Sequence, residues 1–241
     1  MMEVEQKKSP QRIRDPRSMS FEELYQLEIT TVAIRPSRGN VGYFSIGPAT
    51  YYLKKYKSPG KKIFRYLFKS KARKEYENQV FFQKMGIDTP EIVVFQESGV
   101  FRRRAILVTR EVPRTSTLVD ILSASPPSRS PEEIDSLLKK LAVIVRRLHA
   151  HGFVHNDFRM RNVLVQEDRL FLFDCPNGMI LHYVPFFFSH RKVKDLALLF
   201  EDGKRFCSAP QMLRFFLRYA EAKRLDERHK KVIRKVVRYY S

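Results

Sequence analysis

The period of apolar and polar residues changes along this chain, and the changes mark out two kinds of structure. Short β-branched or aromatic runs occupy residues 30–34, 41–46 and 50–56. Such side chains suit a pleated surface, and Arg38-Gly39-Asn40 and Gly47-Pro48 supply turn residues between them. A three-stranded antiparallel meander is expected. A helical period follows over residues 71–85, with Ala72, Tyr76, Val80 and Gln83 on one face and Gly86 as the stop. Two more strands are expected at residues 91–97 and 105–109.

The clearest start signal lies further on. Ser130 can cap a helix, Pro131 fits its first turn, and Glu133 completes a capping box. Ile134, Leu137, Leu138, Leu141, Ile144, Val145 and Leu148 then form one apolar stripe, which Gly152 ends. Short strands are expected at residues 163–165 and 170–173, and residues 193–241 read as helices. The Ser- and Pro-rich stretch at 123–130 reads as a linker. The fold class implied is α+β with two lobes. A flexible basic arm covers 1–20, a β-rich lobe 21–122 and a larger, mostly helical lobe 123–241.

Composition narrows the classes of function. The chain has 241 residues and 43% hydrophobic content, enough for a real core. Its 46 Lys and Arg against 26 Asp and Glu leave a net charge of +20, which calls for a polyanionic partner such as nucleic acid, an anionic membrane or a phosphorylated glycolipid. Cys175 and Cys207 have no metal-ligand spacing and make no disulfide framework, so a reducing compartment is expected. The first twenty residues lack the apolar core of a signal peptide. The longest apolar stretch, 179–188, is broken by His182 and Pro185 and is too short to span a bilayer. Any membrane association is expected to be peripheral. Residues 54–74 hold ten basic residues, no acidic one, and Ile63, Phe64, Tyr66, Leu67 and Phe68 among them. Basic residues around an aromatic core suit an anionic headgroup layer, although a solvated loop reads the same way.

The chemistry concentrates in His155-Asn156-Asp157-Phe158-Arg159-Met160-Arg161-Asn162, followed after a hairpin by Phe173-Asp174. The form is H-x-D-x-x-x-x-N, then an Asp after an apolar strand. Phosphoryl transfer needs a carboxylate to orient and deprotonate the attacking hydroxyl, and an amide oxygen with a second carboxylate to hold a metal against ATP phosphates. Asp157 is the expected base, with Asn162 and Asp174 as Mg²⁺ ligands. Arg159 and Arg161 flank the loop, where they could meet phosphoryl charge or pair with acidic groups of the fold.

A kinase site also needs a Lys on a strand for the phosphates and a Glu on the following helix to hold it. Strand alternation puts Tyr52, Lys54 and Tyr56 on one face and Lys55 on the other. Lys54 is the first choice and Lys55 the alternative. Glu75 and Glu77 compete for the acidic partner, Glu75 being favoured by counting back from Phe82. Gly39 sits in a poor glycine-rich loop, and Glu111 falls where a hinge would meet adenine through its backbone.

In these segments the chain resembles the lipopolysaccharide core kinase family (Kdo/WaaP type), a branch of the protein-kinase-like superfamily. The resemblance runs over about residues 38–219. Tyr52-Leu53-Lys54-Lys55-Tyr56, Arg73-Lys74-Glu75-Tyr76-Glu77 and Gly86-Ile87-Asp88-Thr89-Pro90-Glu91 carry it in the small lobe. Gly152-Phe153-Val154-His155-Asn156-Asp157, Asn162-Val163-Leu164-Val165, Phe173-Asp174 and Lys194-Asp195-Leu196-Ala197 carry it in the large one. It implies a two-lobed kinase-like fold and an ATP- and Mg²⁺-dependent enzyme at the cytoplasmic face of the inner membrane. The implied acceptor is Kdo or heptose in the lipopolysaccharide core. Cys175 after Asp174, and Asn156 and Phe158 around Asp157, depart from the usual pattern without removing a required group. The alternatives are a kinase for another glycan, a small molecule or protein tyrosine, and a non-catalytic pseudokinase. No acidic cluster suits a cationic drug, and no zinc, helix-turn-helix or stacking-sheet signature supports nucleic-acid binding.

Overall fold

The computed structural model describes residues 14–35, 39–57, 69–99, 104–126, 128–181 and 183–240. Contacts within the chain divide it into two compact units. One is Met1–Leu67 with Glu91–Glu111, and the other is Phe68–Pro90 with Val112–Ser241.

The first unit is built on five antiparallel strands, β1 (Thr30–Arg35), β2 (Gly39–Ile46), β3 (Ala49–Lys57), β4 (Ile92–Ser98) and β5 (Arg104–Arg110), in the order β1-β2-β3-β5-β4. The β2–β3 turn uses Gly47 at φ +57°, a backbone state that costs glycine nothing. Alternation on β3 buries Tyr51 and Leu53 with Phe44, Val94, Ile106 and Val108. The short helix α1 (Phe21–Gln26) covers this core with Leu24 and Leu27. It is closed at its start by a Ser20–Glu23 capping box. Within the arm expected over 1–20, Pro16–Ser18 form a 3₁₀ turn capped by Asp15, and Arg17 makes an ion pair with Glu91 just before β4. Residues 1–13 lie outside the described residues.

The second unit carries the helices α2 (Lys71–Lys84), α3 (Leu118–Ser123), α4 (Pro131–Ala150), α5 (Pro185–Phe206), α6 (Ala209–Ala220) and α7 (Glu227–Val237). Small strands β6 (Ser116–Thr117), β8 (Val163–Gln166) and β9 (Arg169–Leu172) form one sheet, and β7 (Phe153–Val154) pairs with β10 (Met179–Ile180). The core centres on α4, whose Leu137, Leu138, Leu141, Val145 and Leu148 pack with Phe82, Phe153, Phe158, Leu199, Phe215 and Phe216. The expected Ser130–Glu133 capping box is present. The Ser/Pro stretch at 123–130 joins α3 to α4 inside this unit, and the chain enters the unit from β5 between Glu111 and Val112.

α2 differs from its expected orientation. The buried face is Ala72, Glu75, Gln79 and Phe82, not the Tyr76–Val80 side. Two polar side chains are therefore turned inward in place of apolar ones, which is why the apolar period pointed to the wrong face.

Candidate active site

β7 delivers the chain to a loop held from one side by α5. The fully buried carboxylate of Asp195 accepts from the backbone N–H of His155 at 2.7 Å and of Asn156 at 2.8 Å. His149 Nε2 lies 3.3 Å from the same carboxylate, and its Nδ1 lies 2.9 Å from the Tyr219 hydroxyl. Two turns along α5, Asp202 accepts from the backbone N–H of Met160 and from Arg159 Nη1, both at 2.9 Å. These two carboxylates grip the loop before and after Asp157. Buried N–H groups without partners are costly, so the grip fixes the backbone of 155–160.

The 3₁₀ turn Met160–Asn162 leads into the β8–β9 hairpin, where Val163 faces Leu172. One step beyond, the Phe173 N–H donates to the Asn162 carbonyl at 3.3 Å, which sets Asp174 beside the hairpin's open end. The Asn162 amide donates from Nδ2 to the Asp157 carbonyl at 2.9 Å. Its Oδ1 is thereby turned away from that carbonyl. Asp157 is partly exposed, and Arg161 Nη2 stands 3.9 Å from its Oδ1.

Two residues here take left-handed backbone states, Asn156 at φ +64° and Asp174 at φ +57°. Asn and Asp tolerate this region better than other side chains, yet it still needs fixing by neighbours. Asn156 is held by its donation to Asn177 O at 2.9 Å and by Arg191, whose Nη1 donates to its Oδ1 at 3.3 Å. The turn after Asp174 is held from α2, where Asn78 Nδ2 donates to Cys175 O at 2.7 Å and Gly178 O at 3.1 Å. A side chain at Gly178 would collide with Phe153, Cys175 and Asn78.

The electrostatics converge on His155. Burial pushes its imidazole pKa below the ordinary value, while the carboxylates of Asp195, Asp157 and Asp174 pull the other way. Its ring stacks on Phe158 at 4.8 Å, and neither ring nitrogen has a hydrogen-bond partner among the described residues. The Cys175 thiol is fully buried, and burial raises its pKa well above the usual range, so it is no nucleophile.

The helical unit thus gathers Asp157, Arg161, Asn162 and Asp174 at one loop cluster and pairs Arg159 with Asp202 on α5. Glu75 is fully buried on α2, whereas Glu77 makes an exposed ion pair with Lys69 at 2.8 Å. The remaining candidates belong to the sheet unit. Lys54 lies on β3 opposite Val41 and Leu107, on the same face as Tyr52. Lys55 points the other way and donates to Leu27 O at 2.7 Å, and burial lowers its pKa. The Glu111 carboxylate accepts from the Tyr52 hydroxyl at 3.5 Å, and its backbone N–H donates to Thr50 O at 2.9 Å. Gly39 opens β2 opposite Arg35. Arg38 and residues 58–68 of the basic run lie outside the described residues.

Sequence reasoning gave no role to Asp195, Asp202, Asn156 or Asn78. A signal existed for two of them. Asp195 and Asp202 stand seven residues apart around Leu196-Ala197-Leu198-Leu199-Phe200, so both carboxylates share a face of an apolar helix and require buried partners.

The donor set suits a hard cation. An Asn oxygen and an Asp carboxylate are oxygen ligands, which Mg²⁺ prefers while keeping water and phosphate oxygens in its shell. Among the described residues no group of three His, Cys, Asp or Glu is placed to hold a metal.

The family described as "Lipopolysaccharide kinase (Kdo/WaaP) family" matches residues 43–175. Among solved structures, the chain is similar to one described as WaaP in complex with acyl carrier protein. The two are 21% identical, with 95% of this chain and 94% of that chain covered and a TM-score of 0.69. No curated protein matches the chain. The structural likeness identifies the fold as the kinase-like one, with a small antiparallel sheet and a helical part.

Proposed function

Because this chain belongs to the lipopolysaccharide kinase (Kdo/WaaP) family and is a phosphotransferase, we propose that it transfers the γ-phosphoryl group of ATP to a sugar hydroxyl of the lipopolysaccharide inner core, on Kdo or heptose. One observation carries the assignment of the site. The Asn162 amide is locked to the Asp157 carbonyl, at the end of the hairpin that returns the chain to Asp174.

In this reading Asp157 accepts the proton of the acceptor hydroxyl as the oxygen attacks phosphorus. Asn162 Oδ1 and the Asp174 carboxylate would hold Mg²⁺. Bound Mg²⁺–ATP supplies an electrophilic phosphoryl group whose charge is partly neutralised. Arg161, exposed beside Asp157, is placed to attract the anionic acceptor. Arg159 acts through the backbone, since its ion pair with Asp202 joins the Met160 N–H in fixing the loop.

Lys54 is the proposed phosphate lysine, supported by the engagement of Lys55 with Leu27 O. Glu75 is the proposed acidic residue of the nucleotide site, favoured over Glu77 by its burial and by the use of Glu77 in a surface pair. The Glu111 carbonyl is proposed to face adenine, and Gly39 to lie near the phosphates. The cytoplasmic face of the inner membrane is the proposed place of action. The net charge of +20 supports it, and no helix among the described residues is long and apolar enough to cross a membrane.

The test is to incubate the protein with Mg²⁺, γ-labelled ATP and lipopolysaccharide lacking core phosphate, then locate the label by mass spectrometry. Label on an inner-core sugar supports the proposal. Transfer only to a nucleoside, small drug or peptide rejects it.

A further inference from the structure

The segment after the Asp174 turn leaves large apolar side chains in solvent. Tyr183 is 84% exposed, Phe186 81% and Phe187 58%, and Met179, Ile180 and Val184 are exposed beside them. Isolated surface hydrophobics are ordinary, but a run of aromatics at one strand–helix junction marks an interaction surface.

Charge indicates what covers it. No Asp or Glu lies between Asp174 and Asp195, while Arg191, Lys192 and Lys194 follow the aromatics directly. The first turn of α5 has no acidic residue, and Lys192 Nζ sits 4.7 Å over the Phe188 ring at the foot of the patch. Aromatic side chains rimmed by cations match a layer with an anionic surface and an apolar interior. A second copy is a poor match, because two faces of this kind on chains of net +20 repel.

The patch is also registered to the catalytic loop. Met179 and Ile180 pair with Val154 and Phe153, and the Leu181 N–H donates to Gly152 O at 2.8 Å. Arg191, just past the aromatics on α5, donates to Asn156, the residue before Asp157. A surface that takes up the aromatics is thereby held in fixed relation to the loop.

We propose that Tyr183, Phe186 and Phe187 insert into the headgroup layer of an anionic bilayer and dock the catalytic loop at the membrane, where a glycolipid presents its sugar. This use of the docking rests on the glycolipid-kinase reading above; the lipid contact itself does not. It uses a different stretch of sequence from the basic run at 54–74.

The chain has no tryptophan, so Phe187→Trp gives a single reporter in the full-length protein. Vesicles of phosphatidylglycerol and phosphatidylethanolamine with brominated acyl chains should quench that reporter, and phosphatidylcholine vesicles should do so far less. A Phe186→Ser/Phe187→Ser variant should lose at least tenfold in vesicle partition. It should phosphorylate a vesicle-embedded acceptor at least tenfold more slowly, yet act normally on a soluble deacylated one. Protein that pellets with its Trp unquenched overturns the proposal, as does a Trp shift that follows protein concentration without lipid. Quenching needs neither ATP nor acceptor. A Phe187→Trp protein that is quenched, with both it and the wild type phosphorylating neither acceptor, refutes the kinase reading alone.

Discussion

The side-chain amide of Asn162 donates to the backbone carbonyl of Asp157 at 2.9 Å, across the five-residue step of the H-x-D-x-x-x-x-N loop. The bond engages one of the amide's two N–H groups and turns its oxygen away from that carbonyl, the orientation the proposed metal site requires.

Asp174 is the carboxylate proposed to meet the cation. Asp174→Ala should abolish Mg²⁺-dependent ATP binding measured by calorimetry, while the protein stays folded. The left-handed φ of +57° suits Asp better than Ala, so a modest drop in thermal stability should accompany that loss. Unchanged Mg²⁺–ATP affinity would remove Asp174 from the site.

Asp195 should behave as a framework residue whose loss also silences the enzyme. Asp195→Ala leaves the N–H groups of His155 and Asn156 buried without their acceptor, at about 1–3 kcal/mol each. Urea denaturation should show that loss, and residual folded protein should have little turnover. A variant with full stability and full activity would mean the loop does not depend on this anchor.

The two arginines of the loop should separate. Arg159 pairs with the largely buried Asp202, so Arg159→Ala should lower the melting temperature and turnover together. Arg161 is more than half exposed, and its removal should leave stability within about 0.5 kcal/mol while turnover drops about tenfold. The opposite pattern would exchange their roles.

His155 gives the fold a pH dependence of known sign. Its folded-state pKa lies below the ordinary imidazole value of about 6.5, because burial disfavours the cation. The unfolded chain therefore binds a proton that the folded chain refuses. Stability is complete above about pH 6.5 and falls as pH drops below it, by up to about 1.4 kcal/mol per unit. His155→Phe keeps the stack on Phe158 and removes two unbonded ring nitrogens. Denaturation between pH 6.5 and 5.5 should have a flatter slope in this variant than in the wild type. Equal slopes would deny His155 that role.

Much of this was legible in residue order, for local reasons. The strands around Tyr51 and Leu53 alternate cleanly, and the Ser130–Glu133 box announces α4. The candidate loop could be proposed from residue order because Asp157, Asn162 and Asp174 flank one hairpin at fixed spacing. Helix α1 has the same kind of capping box, but six residues are too few for a helical period to register. The buried face of α2 was hidden because Glu75 and Gln79 occupy it. Asp195 and Asp202 reach the loop across some forty residues of sequence, a distance over which local pattern carries no information.

The account stands on Asp157 as the proton acceptor, and turnover of Asp157→Ala at saturating Mg²⁺–ATP tests this most directly. The rate of label transfer to lipopolysaccharide lacking core phosphate should drop by about 10²- to 10⁴-fold with ATP affinity retained. Transfer at the wild-type rate would contradict it.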